Sequence, residues 1–273
     1  GISYNNKPRE IQNLIGFVPQ DDSLNEKLTV FENLYVTAKL TLGNNPNIPT
    51  LVDNKLVEYG LFHIKNLQVG TALNRNISGG QRKRLNIVSE IIREPKLLLV
   101  DEPTSGLSSS DSYRVMMLLK DQSLLGKLVI INIHQPSSEI YRLFDKVLVL
   151  DQGGYLAFYG NPIEAIEYFK VNAQKLDSYA VECLSCGTRK PDDIFDILEE
   201  KEVDEFGEFT EKRKRSPKDW SNLFNNTLKD NNSIPFEELP TAKSLTANWL
   251  LQFNLFLKRE TLSKIRDREF FGF

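Results

Sequence analysis

The segment Lys96–Leu107 constrains the fold of this chain more than any other, and it reads KLLLVDEPTSGL. Its four apolar residues, Leu97–Val100, follow one another without alternation, which is typical of a strand covered on both faces of a parallel sheet. Asp101 and Glu102 come next, and Pro103 then prevents further regular pairing. Adjacent acids after a buried strand are costly unless they face a cleft and a partner such as a metal ion. We therefore expect a ligand site here, although a solvated turn is the alternative that these letters alone leave open.

The composition is that of a globular protein, with 40% hydrophobic and 26% charged residues among 273. A formal net charge of −3 gives no reason to expect nucleic acid as a partner. The two cysteines, Cys183 and Cys186, are too few for a disulfide framework, which fits a reducing compartment. A zinc site would need a second pair of ligands, so we interpret them as incidental thiols. The sequence has no visible signal peptide and no apolar run of the ~18 residues that a membrane helix needs.

Polar residues follow two further predicted strands. Residues Leu14–Pro19 predict a short buried strand that delivers Gln20 at its end, and residues Lys127–Ile133 predict another that delivers His134. A lone histidine is more often structural than catalytic. Because the carboxyl ends of parallel strands collect ligands in a doubly wound sheet, we nevertheless expect these side chains and the two acids to face one site.

A glycine-rich turn opens a predicted helix at Asn76–Arg84, which reads NISGGQRKR. Ser78 has N-cap chemistry, and the helix is expected to reach about Arg93 because Pro95 follows. Such a turn offers free N–H groups and a positive dipole end to an anion, usually a phosphate. Glycines that serve only to cap the helix are the alternative. The three cations at Arg82–Arg84 favour the phosphate.

The pattern between the first strand and this turn is helical. Thr29 is a predicted N-cap, with Glu32 completing a capping box. A loop over Gly43–Pro49 then leads to a second helix over about Val52–Tyr59. The absence of a strand signal in the sequence predicts a helical insertion carried by the sheet domain.

The rest of the chain carries weaker signals. We predict a helix over about Asp111–Gln122, a β-hairpin of Lys146–Asp151 and Tyr155–Tyr159, a short helix over Pro162–Phe169, and a solvated linker through Glu199–Arg215 and Asn222–Asn232. The segment Thr246–Arg268 has an aromatic face and a basic end, which suits a membrane–water interface. Packing of that helix on the chain's own core is a nearly equal alternative, and the aromatic ending at Phe270–Phe273 favours the membrane.

Taken together, these motifs resemble the nucleotide-binding domain of an ATP-binding cassette transporter. ISGGQ at Ile77–Gln81 resembles the signature motif of that family, and LLLVDEP at Leu97–Pro103 its Walker B motif. Gln20 resembles the Q-loop glutamine and His134 the switch histidine. The basic run after the signature, HQPSSEI at His134–Ile140 and the basic C-terminal helix are similar to the G (White/pleiotropic drug resistance) subfamily, whose ATPase domain precedes the membrane domain on one chain.

The resemblance implies a P-loop NTPase-like α/β fold with a mostly parallel sheet and a helical subdomain over about residues 22–93. It places the cassette domain at 1–170, a linker region at 171–245 and an amphipathic connecting helix at 246–273. That helix would lead toward a transmembrane domain on the same chain, at the cytoplasmic face of a membrane.

The resemblance also implies roles and cofactors, namely ATP and Mg²⁺. Asp101 would hold Mg²⁺, and Glu102 would polarise the attacking water as general base. Gln20 would touch Mg²⁺ and sense the γ-phosphate, and His134 would bond that phosphate and place the water. Residues Ser78–Gln81, including Gly79 and Gly80, would bind a nucleotide held by a second cassette domain, in a homo- or heterodimer.

The sequence departs from the family pattern in two ways. It contains no G-x-x-x-x-G-K-[ST], so we expect the phosphate loop to lie upstream of Gly1. We therefore expect residues 1–273 alone to bind ATP weakly or not at all and to be inactive. Ser108 stands where the family usually has an aspartate that links the two sites, so the coupling of the sites is in question.

Three functions follow from these motifs. ATP hydrolysis that drives transport is the leading hypothesis. A non-transport cassette ATPase that acts as a nucleotide-dependent switch is the alternative. A degenerate cassette that only supports a competent partner is a third; Glu102 and His134 argue against it, and Ser108 leaves it open. Neither the transported substrate nor the direction of transport can be read from these residues.

Overall fold

The computed structural model describes residues 14–71, 74–175, 191–227 and 248–266. The chain divides into two compact units. One contains the described residues up to Ile133 together with the last described helix, and the other runs from His134 to Thr227. The predicted α/β class with a parallel sheet is confirmed. The interpretation of Cys183 and Cys186 concerns residues outside the described part of the chain.

A parallel sheet of three strands forms the centre of the first unit, in the order β1–β2–β3. Its strands have the bounds β1 Ile15–Val18, β2 Leu97–Asp101 and β3 Leu128–Asn132. In register, Val18 pairs with Val100. Asp101 likewise pairs with Asn132, so the three strands end side by side at one edge of the sheet. This edge is where the predicted polar residues begin.

The first unit also contains several of the predicted helices. Those that lie before β3 are α1 Val30–Leu42, α2 Ile48–Glu58, α3 Gly79–Ile91 and α4 Ser109–Leu124. The capping box of Thr29 and Glu32 at the start of α1 is confirmed. α2 begins earlier than the predicted Val52, because Pro49 occupies its first turn, where a missing N–H costs no hydrogen bond. Apolar residues of α1 and α2 are fully buried, among them Val30, Leu34, Ala38, Val52 and Leu56.

The second unit is built on a β-hairpin. Its elements are α5 Ser138–Tyr141, β4 Val147–Asp151, β5 Tyr155–Gly160, α6 Pro162–Asn172, α7 Asp192–Leu198, β6 Lys201–Val203, β7 Phe209–Arg213 and α8 Pro217–Thr227. β4 and β5 pair antiparallel, as predicted. α6 is longer than its predicted span and buries Phe169 in the core of this unit.

The described part of the predicted linker is folded, which differs from the prediction for Glu199–Arg215 and Asn222–Asn232. β6 and β7 pair antiparallel within it. α8 buries Trp220 and Phe224 in the core of the second unit, and the Trp220 ring lies 5.1 Å from that of Phe169. The two aromatic residues are four positions apart, so they share one face of the helix. Because their neighbours in the sequence are polar, the sequence shows no clear apolar periodicity for this helix.

The predicted C-terminal helix is present as α9, Trp249–Ile265, and Asn248 caps its start. Its aromatic residues are exposed, with 69% of Trp249 and 56% of Phe253 accessible to solvent, whereas Leu255 is buried. Among the described residues, no helix combines the length and apolar character needed to cross a membrane.

α9 is attached to the first unit through Arg266, the residue directly after it. The guanidinium donates from Nη1 and Nη2 to the two carboxylate oxygens of Glu32 in α1, at 2.5 and 2.9 Å. Nη1 also donates to the backbone carbonyl of Lys27 at 3.3 Å. The basic end of α9 is therefore held by the helical insertion.

Candidate functional site

The ends of β1 and β2 bring Gln20 and Glu102 into contact. Gln20 Nε2 donates a hydrogen bond to Glu102 Oε2 at 3.1 Å, across 82 residues of sequence. The backbone N–H of Glu102 donates to the carbonyl of Asn132 at the end of β3, at 2.9 Å. Since the strands are parallel neighbours, the proximity that the strand pattern predicts for these two side chains is found.

The backbone of Glu102 is strained. Its φ is +39°, in the left-handed region that residues with a Cβ rarely adopt. Such a conformation costs on the order of 1–3 kcal/mol and is concentrated at sites where function fixes a side chain. The next residues form a turn, in which the N–H of Ser105 donates to the carbonyl of Glu102 at 3.3 Å. The Glu102 carboxylate thus lies beside Gln20 while its backbone adopts an unfavourable conformation.

Asp101 is held by Asn132 on the neighbouring strand. Asn132 Nδ2 donates to Asp101 Oδ1 at 2.9 Å. No sequence motif marks Asn132, although its pairing with Asp101 follows once the register of the parallel strands is known.

The donor set at this edge fits Mg²⁺, which prefers oxygen ligands. This ion is usually held by one or two carboxylates together with substrate phosphates rather than by an all-protein cage. Asp101 supplies a carboxylate, and Gln20, whose side chain contacts the adjacent Glu102, supplies an amide oxygen. Among the described residues, no group of three or more His, Cys, Asp or Glu side chains is suited to hold a metal ion.

Ser78, Gly79 and Gly80, which we call the signature turn, open α3. Ser78 Oγ accepts from the N–H of Gln81 at 3.1 Å, and Gln81 Oε1 accepts from the N–H of Ser78 at 2.8 Å. This is a reciprocal capping box, so the side chain of Gln81 supports the turn. The N–H groups of a first helical turn lack partners within the helix and are suited to an anion.

Gly80 is required by the packing of α3 against α4. A Cβ at this position would lie 2.4 Å from Cγ of Asp111, which real Cβ atoms do not approach. At Gly79 the nearest atom would be Cδ2 of Leu107 at 3.3 Å. The second glycine therefore allows close helix approach, in addition to any role toward a phosphate.

Two of the three cations after the turn bind the chain itself, contrary to the expectation that they favour a phosphate. Arg82 donates from Nε and Nη2 to the carboxylate of Asp22 at 2.6 and 2.9 Å, and from Nη1 to the carbonyl of Gly70 at 2.8 Å. This hydrogen bonding raises the pKa of Arg82. Lys83 Nζ donates to the carbonyl of Gln20 at 2.8 Å. Sequence alone gives no signal for these pairs, because their partners lie far away along the chain.

Ser108 caps α4 in the position where an aspartate was expected. Its Oγ accepts from the N–H of Asp111 at 3.2 Å and lies 3.3 Å from Asp111 Oδ2. Serine is as effective an N-cap as aspartate, so this substitution preserves the start of the helix.

His134 begins the second unit. Its side chain is exposed, and its ring lies 6.4 Å from that of Phe195. The following residue, Gln135, has a φ of +47°. The role of His134 toward a γ-phosphate stays a prediction.

Comparison with known proteins shows what this chain is similar to. Residues 2–105 match a family model described as ABC transporter. ABC transporter G family member 22 of Arabidopsis thaliana is 43% identical over 176 residues, which cover 62% of this chain and 23% of that protein. ABC transporter G family member 25 of Oryza sativa subsp. japonica is 40% identical over 190 residues, 68% of this chain and 18% of that protein.

An animal protein gives the same level of similarity. A broad substrate specificity ATP-binding cassette transporter of Rattus norvegicus is 42% identical over 161 residues, 56% of this chain and 24% of that protein. The matches thus cover a quarter or less of the length of these three relatives.

Proposed function

We propose, from the premise that this chain carries nucleotide-binding sequence of the G subfamily of ATP-binding cassette transporters, that it binds and hydrolyses ATP to power transport across a membrane. The observation that carries the proposal is the hydrogen bond between Gln20 and Glu102 beside Asp101, at the edge where three parallel strands end. The resemblance assigns these roles from sequence motifs alone. The contact supports them because it joins residues that the sequence keeps far apart.

Asp101 and Gln20 would hold Mg²⁺. When bound, the ion neutralises charge on the β- and γ-phosphates. Asn132 fixes the direction of the Asp101 carboxylate through its side-chain amide, as supporting residues commonly do for metal ligands.

Glu102 would act as the general base. It accepts a proton from water as the water oxygen bonds to the γ-phosphorus and the bond to the bridging oxygen breaks, which yields ADP and phosphate. Gln20 donates to one oxygen of the Glu102 carboxylate and so orients it. His134 would bond the γ-phosphate and place the water.

A second cassette domain would complete each site. In this proposal, the signature turn of one copy binds the γ-phosphate of ATP held by the other, so that nucleotide drives dimerisation and closure moves a membrane partner. The transmembrane domain would lie on the same polypeptide, with the cassette at the cytoplasmic face. Relatives about four or more times longer than the matched segment support this arrangement.

Replacement Glu102→Gln in the intact protein tests the proposal. We expect ATP turnover to fall by about 100-fold or more, because a general base is lost. We also expect ATP-dependent dimers to accumulate, measured by light scattering after size exclusion. Glu58→Gln, at the exposed end of α2, is the matched control and should leave both quantities unchanged. Unchanged turnover in Glu102→Gln would show that Glu102 is not the general base.

A further inference from the structure

Lys83 is a buried lysine that joins α3 to the end of β1. Only 8% of the residue is exposed. Its ammonium donates to the backbone carbonyl of Gln20 at 2.8 Å and to that of Pro19 at 3.4 Å. Burial lowers the pKa of Lys83, and the negative charges of nearby carboxylates, foremost Asp22 and Asp21, oppose that shift. A buried charge of this kind is tolerated only where it is well bonded, so its contacts fix the group in place.

The contacts of Lys83 continue to the carboxylate at the sheet edge. Lys83 holds the carbonyl of Gln20, and the side chain of Gln20 donates to Glu102 Oε2 at 3.1 Å. A direct path of two hydrogen bonds therefore links α3 with Glu102. All three residues belong to the first unit.

Lys83 lies near the start of α3, which the signature turn opens. Ser78 and Lys83 are five residues apart, which corresponds to about 7–8 Å along a helix. The capping box at Ser78 and Gln81 makes this first part of α3 a regular, well-supported segment. The turn and Lys83 thus belong to one regular helical segment.

Arg82 restrains the neighbouring residues but not Gln20 itself. Its guanidinium group donates to both carboxylate oxygens of Asp22, which lies two residues after Gln20. The two adjacent cations therefore contact different residues: Arg82 binds Asp22 in the loop after β1, and Lys83 binds the backbone carbonyl of Gln20.

We propose that Lys83 is a positioning residue, which holds Gln20 against Glu102 and ties the geometry of that pair to the signature turn at the start of the same helix. This inference rests on the proposed function, which gives Gln20 and Glu102 their roles toward the nucleotide. In a dimer, it would let a turn that contacts one nucleotide influence the glutamine that serves the other.

Amide hydrogen exchange on the nucleotide-free intact protein tests the positioning directly. In Lys83→Met we expect the amide of Val18, the last residue of β1, to exchange about 10-fold faster or more, because the carbonyls of Pro19 and Gln20 lose their partner and the end of the strand opens more easily. Lys83→Arg keeps donors at this place and should restore most of the protection. Unchanged exchange in Lys83→Met would overturn the proposal.

Lys127→Met is the matched control. Lys127 is also a lysine whose pKa is lowered by burial, and its ammonium donates to Gln122 Oε1 at 2.5 Å. It precedes β3, at the end of the sheet opposite Gln20. Its replacement should not alter exchange at Val18; an equal increase there would mean that any lost lysine loosens the unit, which would overturn the assignment.

A double-mutant cycle tests whether Lys83 acts through Gln20. Lys83→Met should lower kcat for ATP by about 10- to 100-fold with a smaller change in KM, as expected for a misplaced catalytic contact. In a Gln20→Ala background, Lys83→Met should cause little further loss. A full multiplicative loss would overturn the proposal. If the intact protein has no ATPase activity, the proposed function fails, and the exchange measurement alone decides the role of Lys83.

Discussion

At the scale of single residues, Gly80 makes the sharpest prediction. Gly80→Ala places a Cβ 2.4 Å from Cγ and 2.8 Å from Cβ of Asp111, a residue that the Ser108 cap holds at the start of α4. We expect the free energy of unfolding to fall by about 1–3 kcal/mol, as for other overpacked sites. Urea denaturation measures this loss.

Two further variants separate packing from other effects of the Gly80 substitution. Gly79→Ala meets only the end of the Leu107 side chain and should change stability by less than about 0.5 kcal/mol. Gly80→Ala combined with Asp111→Ala should recover part of the loss, because it removes the contact with Cγ at 2.4 Å and leaves the one with Cβ at 2.8 Å. If Gly80→Ala were as harmless as Gly79→Ala, the close packing of α3 on α4 at Gly80 would be wrong.

Single residues also mark the limit of sequence reasoning. The caps at Thr29 and Ser78 were predictable, because a cap and its partner lie three positions apart. The roles of Lys83 and Asn132 were not, because each depends on a partner that only the tertiary fold brings near. A basic residue after a glycine turn looks the same in sequence whether it binds a phosphate or a carbonyl.

At the scale of elements, the attachment of α9 to α1 depends on Glu32. The hydrogen bond from Arg266, opposed by burial and aided by Thr29, lowers the pKa of Glu32. A carboxylate with a lowered folded-state pKa stabilises the fold above its ordinary value of about 4.3, and that stabilisation is lost as the pH falls through the folded-state value. Acid should therefore weaken the attachment of α9.

Glu32→Gln measures this contribution, because glutamine preserves the capping box but not the ion pair. Near neutral pH, we expect the variant to be about 1 kcal/mol less stable, typical of a partly exposed pair. The difference in melting temperature from the parent protein should shrink as the pH falls below the ordinary carboxylate pKa of about 4.3, and it should vanish once the folded-state carboxylate is protonated. A difference that persists unchanged at pH ~3 would contradict the role of the ion pair.

Elements differ in how well the sequence predicts them. The strands β1, β2 and β3 were predictable because each is a continuous apolar run. α8 was missed because Trp220 and Phe224 stand among polar residues, so its apolar face consists of few side chains. Large aromatic side chains compensate for their small number, since each buries a large apolar area.

At the scale of the whole molecule, two compact units carry different parts of the predicted machinery. The first contains the sheet edge with Gln20 and Glu102 as well as the signature turn, and the second begins at His134. The α/β class followed from the apolar strands and the glycine turn. The division at His134 did not, because no change of composition marks it in the sequence.

In the proposed dimer, each nucleotide site combines the sheet edge of one copy with the signature turn of another. The measurement is the amount of nucleotide that linked dimers of the intact protein retain. Both halves of each dimer carry Glu102→Gln, which slows hydrolysis. Asp101→Ala and Ser78→Arg are placed either on opposite halves or on the same half of the dimer.

With the two substitutions on opposite halves, both defects fall in one composite site and the other site is intact. We therefore expect this dimer to retain half as much nucleotide as a dimer that carries neither substitution. With both on the same half, each site carries one defect, and almost no nucleotide should remain. Half retention in the same-half dimer, together with loss in the opposite-half dimer, would show that each site is built within one copy and would contradict the account.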